Sequence, residues 1–206
     1  MTRIRVKICG ITRIEDALAA ATHGADAIGL VFHPASRRYV DHATAAAIVA
    51  FLPPFVGTVG LFLDAPPERV RETLARVPLD LLQFHGSESP DYCTSFERPY
   101  LKAVAMGDGA DLAAEARRHA GARGLLLDSH RAGGSGGSGQ VFDWERVPRD
   151  CARPLVLAGG LHPGNIAEAV RQVRPWGVDV SSGVETAPGI KDNALIGAFM
   201  QHLTGY

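Results

Sequence analysis

Arg5-Val6-Lys7-Ile8-Cys9-Gly10-Ile11-Thr12 reads as a short strand that delivers a cysteine to a glycine turn. Ile4, Val6 and Ile8 alternate with Arg5, Lys7 and Cys9, so a strand puts the aliphatic side chains on one face and the polar set on the other. Thr12 and Glu15 have capping-box spacing, which predicts a helix start where the two side chains satisfy each other's backbone N–H groups. A thiol at the carboxyl end of a strand, just before a helix, stands where α/β proteins place reactive groups. Taken alone, Cys9 would also suit a buried structural position. The ammonium of Lys7 on the same face argues against plain hydrocarbon there.

The same unit recurs along the chain. Strands are predicted at Ala27 to Phe32, Val56 to Leu63, Leu79 to Phe84, Tyr100 to Val104, Gly124 to Asp128, Leu155 to Leu157 and Val178 to Val180. Helical segments separate them, with Asp41 and Ser89-Pro90 as starts, Pro53-Pro54 and Gly24 as stops, and Ile166, Ala169, Val170 and Val173 on one helical face. Eight strands alternating with eight helical segments over short connections predict a single (β/α)8 TIM barrel spanning residues 1–206, with its active site at the carboxyl ends of the strands. The glycine-serine run Gly133 to Gly139 has linker composition, but a boundary there would cut the barrel after its sixth strand, so it reads as a mobile active-site loop.

Bulk composition narrows the function. The chain has 206 residues, 46% apolar and 21% charged, the balance of an ordinary globular protein with a substantial core. A net charge of −1 favours neither nucleic acid nor an anionic membrane as partner. No run approaches a membrane span and no apolar leader precedes the first strand, so the expected compartment is the cytoplasm. Cys9, Cys93 and Cys151 are too scattered for a disulfide framework or a zinc set; no metal and no cofactor is expected.

At the strand ends the polar candidates are Cys9, Arg38, His85 and Asp128, with the turns Gly159-Gly160 and Ser181-Ser182-Gly183. The two turns follow the seventh and eighth strands, where such barrels hold phosphate with backbone N–H groups; adjacent serines add hydroxyl donors. Asp128 leaves a run of three leucines into a cleft, where partial burial would let it keep a proton as a general acid; a cap or an arginine pair is the alternative role. Cys9 needs a cationic setting to act as a base, since a free thiol titrates at about 8.5. Lys7 is one source, and because the eighth strand closes on the first, Asp179 can pair with Lys7. Arg38 can grip a substrate carboxylate through its planar fork. His85 can donate a hydrogen bond or assist a proton transfer, and equally serves as a satisfied structural histidine. The residues thus describe one acid, one base and a phosphorylated small-molecule substrate.

Lys7-Ile8-Cys9-Gly10-Ile11-Thr12, Ser36-Arg37-Arg38-Tyr39-Val40, Gln83-Phe84-His85-Gly86, Leu126-Leu127-Asp128, Gly136-Gly137-Ser138-Gly139 with Phe142-Asp143-Trp144, Ala158-Gly159-Gly160-Leu161 and Asp179-Val180-Ser181-Ser182-Gly183-Val184-Glu185 together resemble the phosphoribosylanthranilate isomerases, in that family's order and over nearly the whole chain. The resemblance implies the tryptophan-pathway Amadori rearrangement of N-(5'-phosphoribosyl)anthranilate to 1-(2-carboxyphenylamino)-1-deoxyribulose 5-phosphate. It implies Asp128 as the acid on the furanose ring oxygen, Cys9 as the base at C2', Arg38 facing the anthranilate carboxylate, and Gly159, Gly160, Ser181, Ser182 and Gly183 around the phosphate. A second glycine-serine unit from Gly133 to Gly136 departs from the family pattern; the extra ordering on closure predicts weaker substrate binding. The rival readings are another sugar-phosphate barrel enzyme and a non-catalytic phospholigand-binding barrel. The second would have no need of both Cys9 and Asp128 in one cleft. Activity on the related histidine-pathway substrate, and a monomer against a homodimer, stay open at the level of sequence.

Overall fold

A computed structural model describes residues 3–107, 110–129, 143–148 and 150–204. Eight parallel strands form a ring in chain order: β1 (Arg5–Cys9), β2 (Ala27–Val31), β3 (Gly57–Phe62), β4 (Leu81–Phe84), β5 (Tyr100–Ala105), β6 (Gly124–Asp128), β7 (Leu155–Leu157) and β8 (Gly177–Val180). The ring closes where β8 pairs with β1, in a register that sets Lys7 beside Asp179. The expected (β/α)8 barrel is the architecture found. Around it lie α1 (Ile14–Thr22), α2 (His42–Ala50), α3 (Pro67–Arg76), α4 (Pro90–Thr94), α5 (Leu112–Arg118), α6 (Ile166–Val173) and α7 (Asn193–Gln201). Between β6 and β7 the described residues hold a 3₁₀ turn, Trp144–Arg146, in place of an α-helix. Gly133 to Gly139 and Phe142 lie outside the described residues.

Local chemistry sets most helix starts. The Asp41 carboxylate accepts from the Thr44 amide, Ser89 accepts from that of Tyr92, and Asp192 accepts from Ala194 and Leu195, each satisfying N–H groups that a first turn leaves open. The capping box expected at Thr12 and Glu15 does not form. Thr12 donates its hydroxyl to the Gly189 carbonyl at 2.5 Å, Glu15 pairs with Arg13, and α1 starts without a side-chain cap. The competitor is a hairpin that the sequence pattern did not reveal, β9 (Glu185–Ala187) against β10 (Ile190–Lys191), which brings Gly189 to Thr12.

Strand alternation sorts the core into two clusters. Leu125 and Leu127 join the large apolar layer between ring and helices, whereas Leu126 points the other way and packs with Ala103, Val156 and Ala158. These four residues plug the barrel interior. The same alternation turns Lys7, Gln83, Asp128 and Asp179 inward; all are buried polar groups, so each needs a partner inside the ring. Those partners make the site.

Candidate active site

A cleft of about 180 Å³ opens at the carboxyl ends of the strands. Its lining includes Cys9, Arg38, His85, Asp128, Gly159, Gly160, Ser181 and Ser182, so eight of the nine residues singled out from sequence meet there. Gly183 stands behind the wall. A side chain at Gly183 would collide with the Leu161 carbonyl and come within 2.9 Å of His162 Cα, so its lack of one lets the β8 turn lie against the β7 turn.

Cys9 ends β1 with its thiol buried beside Lys7. Lys7 Nζ donates to Asp179 Oδ1 at 2.9 Å, both side chains under a tenth exposed, as the closure of β8 on β1 predicts. Burial pulls the Lys7 pKa down, but the Asp179 carboxylate and the Cys9 sulfur outweigh it and hold Lys7 as an ammonium. Burial pushes the Cys9 thiol up and Lys7 draws it back, with Asp179 opposing Lys7. Any thiolate character of Cys9 therefore depends on nearby ammonium groups, Lys7 foremost and Lys191 with a smaller pull.

Across the ring, Asp128 ends β6, with β7 and β8 between it and Cys9 on the shorter way round. Its Oδ2 meets His85 Nε2 at 3.2 Å, and His85 Nδ1 meets Gln83 Nε2 at 3.1 Å. Gln83 and His85 are two residues apart and so share a face of β4 and its extension; the His85 amide donates to the Phe62 carbonyl at 2.9 Å, which continues the strand pairing. Ser129 Oγ lies 3.5 Å from Asp128 Oδ1.

Arg38 reaches the cleft from the loop after β2, folded over Gly10. Gly10 has φ +77, and a Cβ there would stand 2.5 Å from Arg38 Cδ. One edge of the Arg38 fork is engaged: Nε and Nη2 donate to the Glu185 carboxylate at 2.9 and 2.7 Å. Nη1 makes no hydrogen bond among the described residues. Glu185 also takes a bond from Lys191 Nζ at 2.7 Å, and Lys191, with no exposed side-chain surface, donates to the Cys9 carbonyl at 2.5 Å. Burial pushes Glu185 up, but the bonds from Arg38 and Lys191 more than offset it and hold the carboxylate below its ordinary range. Burial pulls Lys191 below its ordinary value against the attraction of Glu185. Sequence reasoning missed Lys191 and the role of Glu185, because the hairpin carrying them is too short to show a period.

The turns after β7 and β8 form the remaining wall. Gly159 and Gly160 both have positive φ, +81 and +64, a path that side chains rarely follow. Asn165 fixes this turn by donating to the Gly160 carbonyl at 2.9 Å and accepting from the His162 amide at 2.9 Å. Ser181 differs from expectation in one respect: its hydroxyl donates to the Cys9 carbonyl at 3.0 Å, leaving Ser182 as the hydroxyl of the pair not so engaged. Among the described residues no group of His, Cys, Asp and Glu is arranged to hold a metal ion.

The family model of N-(5'-phosphoribosyl)anthranilate (PRA) isomerase matches residues 6–202. An N-(5'-phosphoribosyl)anthranilate isomerase of Pseudomonas fluorescens (strain SBW25) is 56% identical over 201 residues, 98% of this chain and 96% of the relative. Among solved structures, phosphoribosyl anthranilate isomerase from Thermotoga maritima superposes with a TM-score of 0.90 at 40% identity, covering 98% of this chain and all of that one. A phosphoribosyl anthranilate isomerase in complex with reduced 1-(o-carboxyphenylamino)-1-deoxyribulose 5-phosphate gives 0.83 at 40% identity, again over 98% and 100% of the two chains.

Proposed function

We propose, from the premise that this chain belongs to the N-(5'-phosphoribosyl)anthranilate isomerase family, that Cys9 and Asp128 are the base and acid of its reaction. The reaction is the family's: an aldose-to-ketose isomerisation of phosphoribosylanthranilate in tryptophan biosynthesis. The observation that carries the residue assignment is the cleft itself. A thiol beside an ammonium stands in one wall and a histidine-supported carboxyl in another, with glycine and serine turns beside them.

In this reading the phosphate of the substrate rests against Gly159, Gly160 and Ser182, and Gly183 lets the two turns approach. Ser181 contributes its backbone, since its hydroxyl braces Cys9. Arg38 presents Nη1 to the anthranilate carboxylate while Glu185 fixes the rest of the fork. Asp128 gives its proton to the furanose ring oxygen as the C1'–O bond breaks and the anthranilate nitrogen supplies electrons to form the Schiff base. Cys9, whose thiol burial pushes up and Lys7 draws partly back, removes the proton from C2'. The resulting enolamine takes a proton at C1' and loses one from the C2' hydroxyl, giving the ketone. Net proton count is unchanged, so acid and base return to their starting states.

The assembly adopted in this reading is a monomer or a homodimer with an independent site in each barrel. Residues 1–206 are read as one domain, since the ring uses strands from both ends of the chain. No helix among the described residues is long and apolar enough to cross a membrane, and a cytoplasmic small-molecule enzyme is the reading adopted.

The test is the loss of substrate fluorescence on mixing the protein with freshly generated phosphoribosylanthranilate. Cys9→Ala and Asp128→Ala should each lose roughly 10²- to 10⁴-fold in kcat with the fold retained by circular dichroism. Activity surviving either change would move that role to another group, with His85 the next base in reach of the cleft.

A further inference from the structure

Gln83 is wholly buried on β4 and lines the cleft, and its amide is used unevenly. The Nε2 group donates to His85 Nδ1 at 3.1 Å, while Oε1 is buried with no hydrogen-bond partner among the described residues. Buried amide oxygens are ordinarily paired, so an orphan at the edge of a reaction cleft calls for a reason. Rotating the amide by half a turn would place Oε1 on His85 instead. The two orientations differ in what they demand of the imidazole.

We propose that Gln83 is a positioning residue that fixes His85 as the Nε2–H tautomer and thereby keeps the Asp128 carboxyl able to act as an acid. The argument rests on the acid role given to Asp128 above. An amide N–H on Nδ1 requires Nδ1 to be an acceptor, so the single ring proton sits on Nε2 and points at Asp128 Oδ2, 3.2 Å away. Oδ2 is then the carbonyl-like oxygen, and the acidic proton belongs on Oδ1, the other oxygen of the group. After that proton leaves, the same Nε2–H steadies the new carboxylate, so the donor is in place before charge develops. With Oε1 turned inward, Nδ1 would carry a proton. The ring would then either present a bare Nε2 to Asp128 or take a second proton and pair with an ionised Asp128, and in the second state no acid remains. The orphaned oxygen is the consequence of holding the amide in the productive sense.

Charged groups reach His85 and Asp128 from several elements: Lys102 on β5, paired with Glu88, bonds the carbonyls of Phe84 and Gly86 on either side of His85. Asp179 on β8 acts on both His85 and Asp128, and Lys7 and Cys9 on β1 stand behind it. Asp179 is paired with Lys7, and a charged His85 would bear directly on the Asp128 carboxylate it meets at 3.2 Å.

Two substitutions test this. Gln83→Glu offers Nδ1 only acceptors and favours the doubly protonated ring. Gln83→Met keeps the volume, removes the orphan and leaves the tautomer unselected. Nitrogen-15 imidazole shifts of His85 in the substrate-free wild type should report the neutral Nε2–H form near neutral pH, and the charged ring in Gln83→Glu. Gln83→Glu should lower kcat roughly 10- to 100-fold with KM within about threefold, and move the alkaline limb of kcat/KM down by about a pH unit or more. Gln83→Met should fall between it and the wild type with thermal stability retained. An Nδ1–H or charged His85 in the wild type overturns the proposal, as do profiles and kcat values unchanged in both variants. Asp128→Asn separates the two levels: if it stays active the acid assignment itself falls, whereas an inactive Asp128→Asn beside unaffected Gln83 variants overturns only the role of Gln83.

Discussion

Gly29→Ala places one methyl group against the proposed base. Gly29 lies on β2 in register with Cys9 on β1. A Cβ at this position would stand 2.8 Å from Cys9 Sγ, 2.8 Å from Lys7 Nζ and 3.0 Å from Lys7 Cε. Ordinary contacts begin near 3.4 Å, so the sulfur and the ammonium must each retreat by roughly 0.6 Å. Lys7 has little room to do so, being held at 2.9 Å by Asp179 inside the ring. Overpacking of this kind costs about 1–3 kcal/mol, which for a chain of this length is a Tm drop of roughly 2–10 °C. The kinetic effect is the larger one. A catalytic group displaced by about 1 Å can lose roughly 10²-fold, so a shift of this size should lower kcat by about 10- to 100-fold. KM should move little, since Gly29 is not among the residues that line the cleft. Steady-state fluorescence assays beside thermal unfolding measure both effects. A variant with kcat within twofold of wild type and an unchanged Tm would refute the placement of Cys9 and Lys7 against Gly29.

Glu185→Gln removes the one carboxylate shared by Arg38 and Lys191, leaving two poorly exposed cations facing each other; a stability loss of about 3 kcal/mol or more and a KM rise of at least roughly tenfold are expected. Urea midpoints and substrate titrations check it, and an unchanged KM would show that Arg38 does not depend on Glu185 for its aim. His119, fully buried, has its pKa pushed down to about 4 by burial and by Lys102, with Glu115 opposing and Arg118 adding a smaller push down. In the unfolded chain it titrates near 6.5, so its contribution is complete above about pH 6.5 and is lost as pH falls toward 4, about 3 kcal/mol in all. His119→Phe should flatten this part of the stability curve in urea titrations between about pH 7 and pH 4.5; a slope equal to wild type would rule out His119 as its source.

Much of the site was legible because a barrel strand has a period of two and its end is marked by a change from aliphatic to polar. Lys7, Cys9 and Asp128 were found that way, and the Lys7–Asp179 pair followed from closure of an eight-strand ring. Gln83 lies two residues from His85 on one strand face, so their contact was present in the pattern, but the meaning of an amide there depends on which of its ends faces the ring. Gly29 is unreadable from sequence, since a glycine within a strand looks like a weak position until its neighbour across the ladder is known to be a cysteine. The hairpin of β9 and β10 escaped for a different reason. Strands of three and two residues carry no periodicity, and the link that gives Lys191 its place, to the Cys9 carbonyl, joins segments at opposite ends of the chain.

The distance of those segments explains how the two halves of the site are held. His85 and Asp128 come from β4 and β6, inside the run of neighbouring strand pairs. Cys9 lies instead at the seam: its carbonyl accepts from Ser181 and from Lys191, and its neighbour Lys7 pairs with Asp179, across 172, 182 and 172 residues of chain. The electrostatic setting of the base therefore exists only in the closed ring, where one buried ammonium compensates Asp179 and another ties the end of β1 to the turn after β8. A barrel open at that seam would keep its acid pair and lose the placement of its base, because the thiol would no longer be held at the cleft beside Lys7 and opposite the acid. Placing the base at the seam couples two properties that a strand-by-strand reading treats separately, the integrity of the fold and the reactivity of one sulfur.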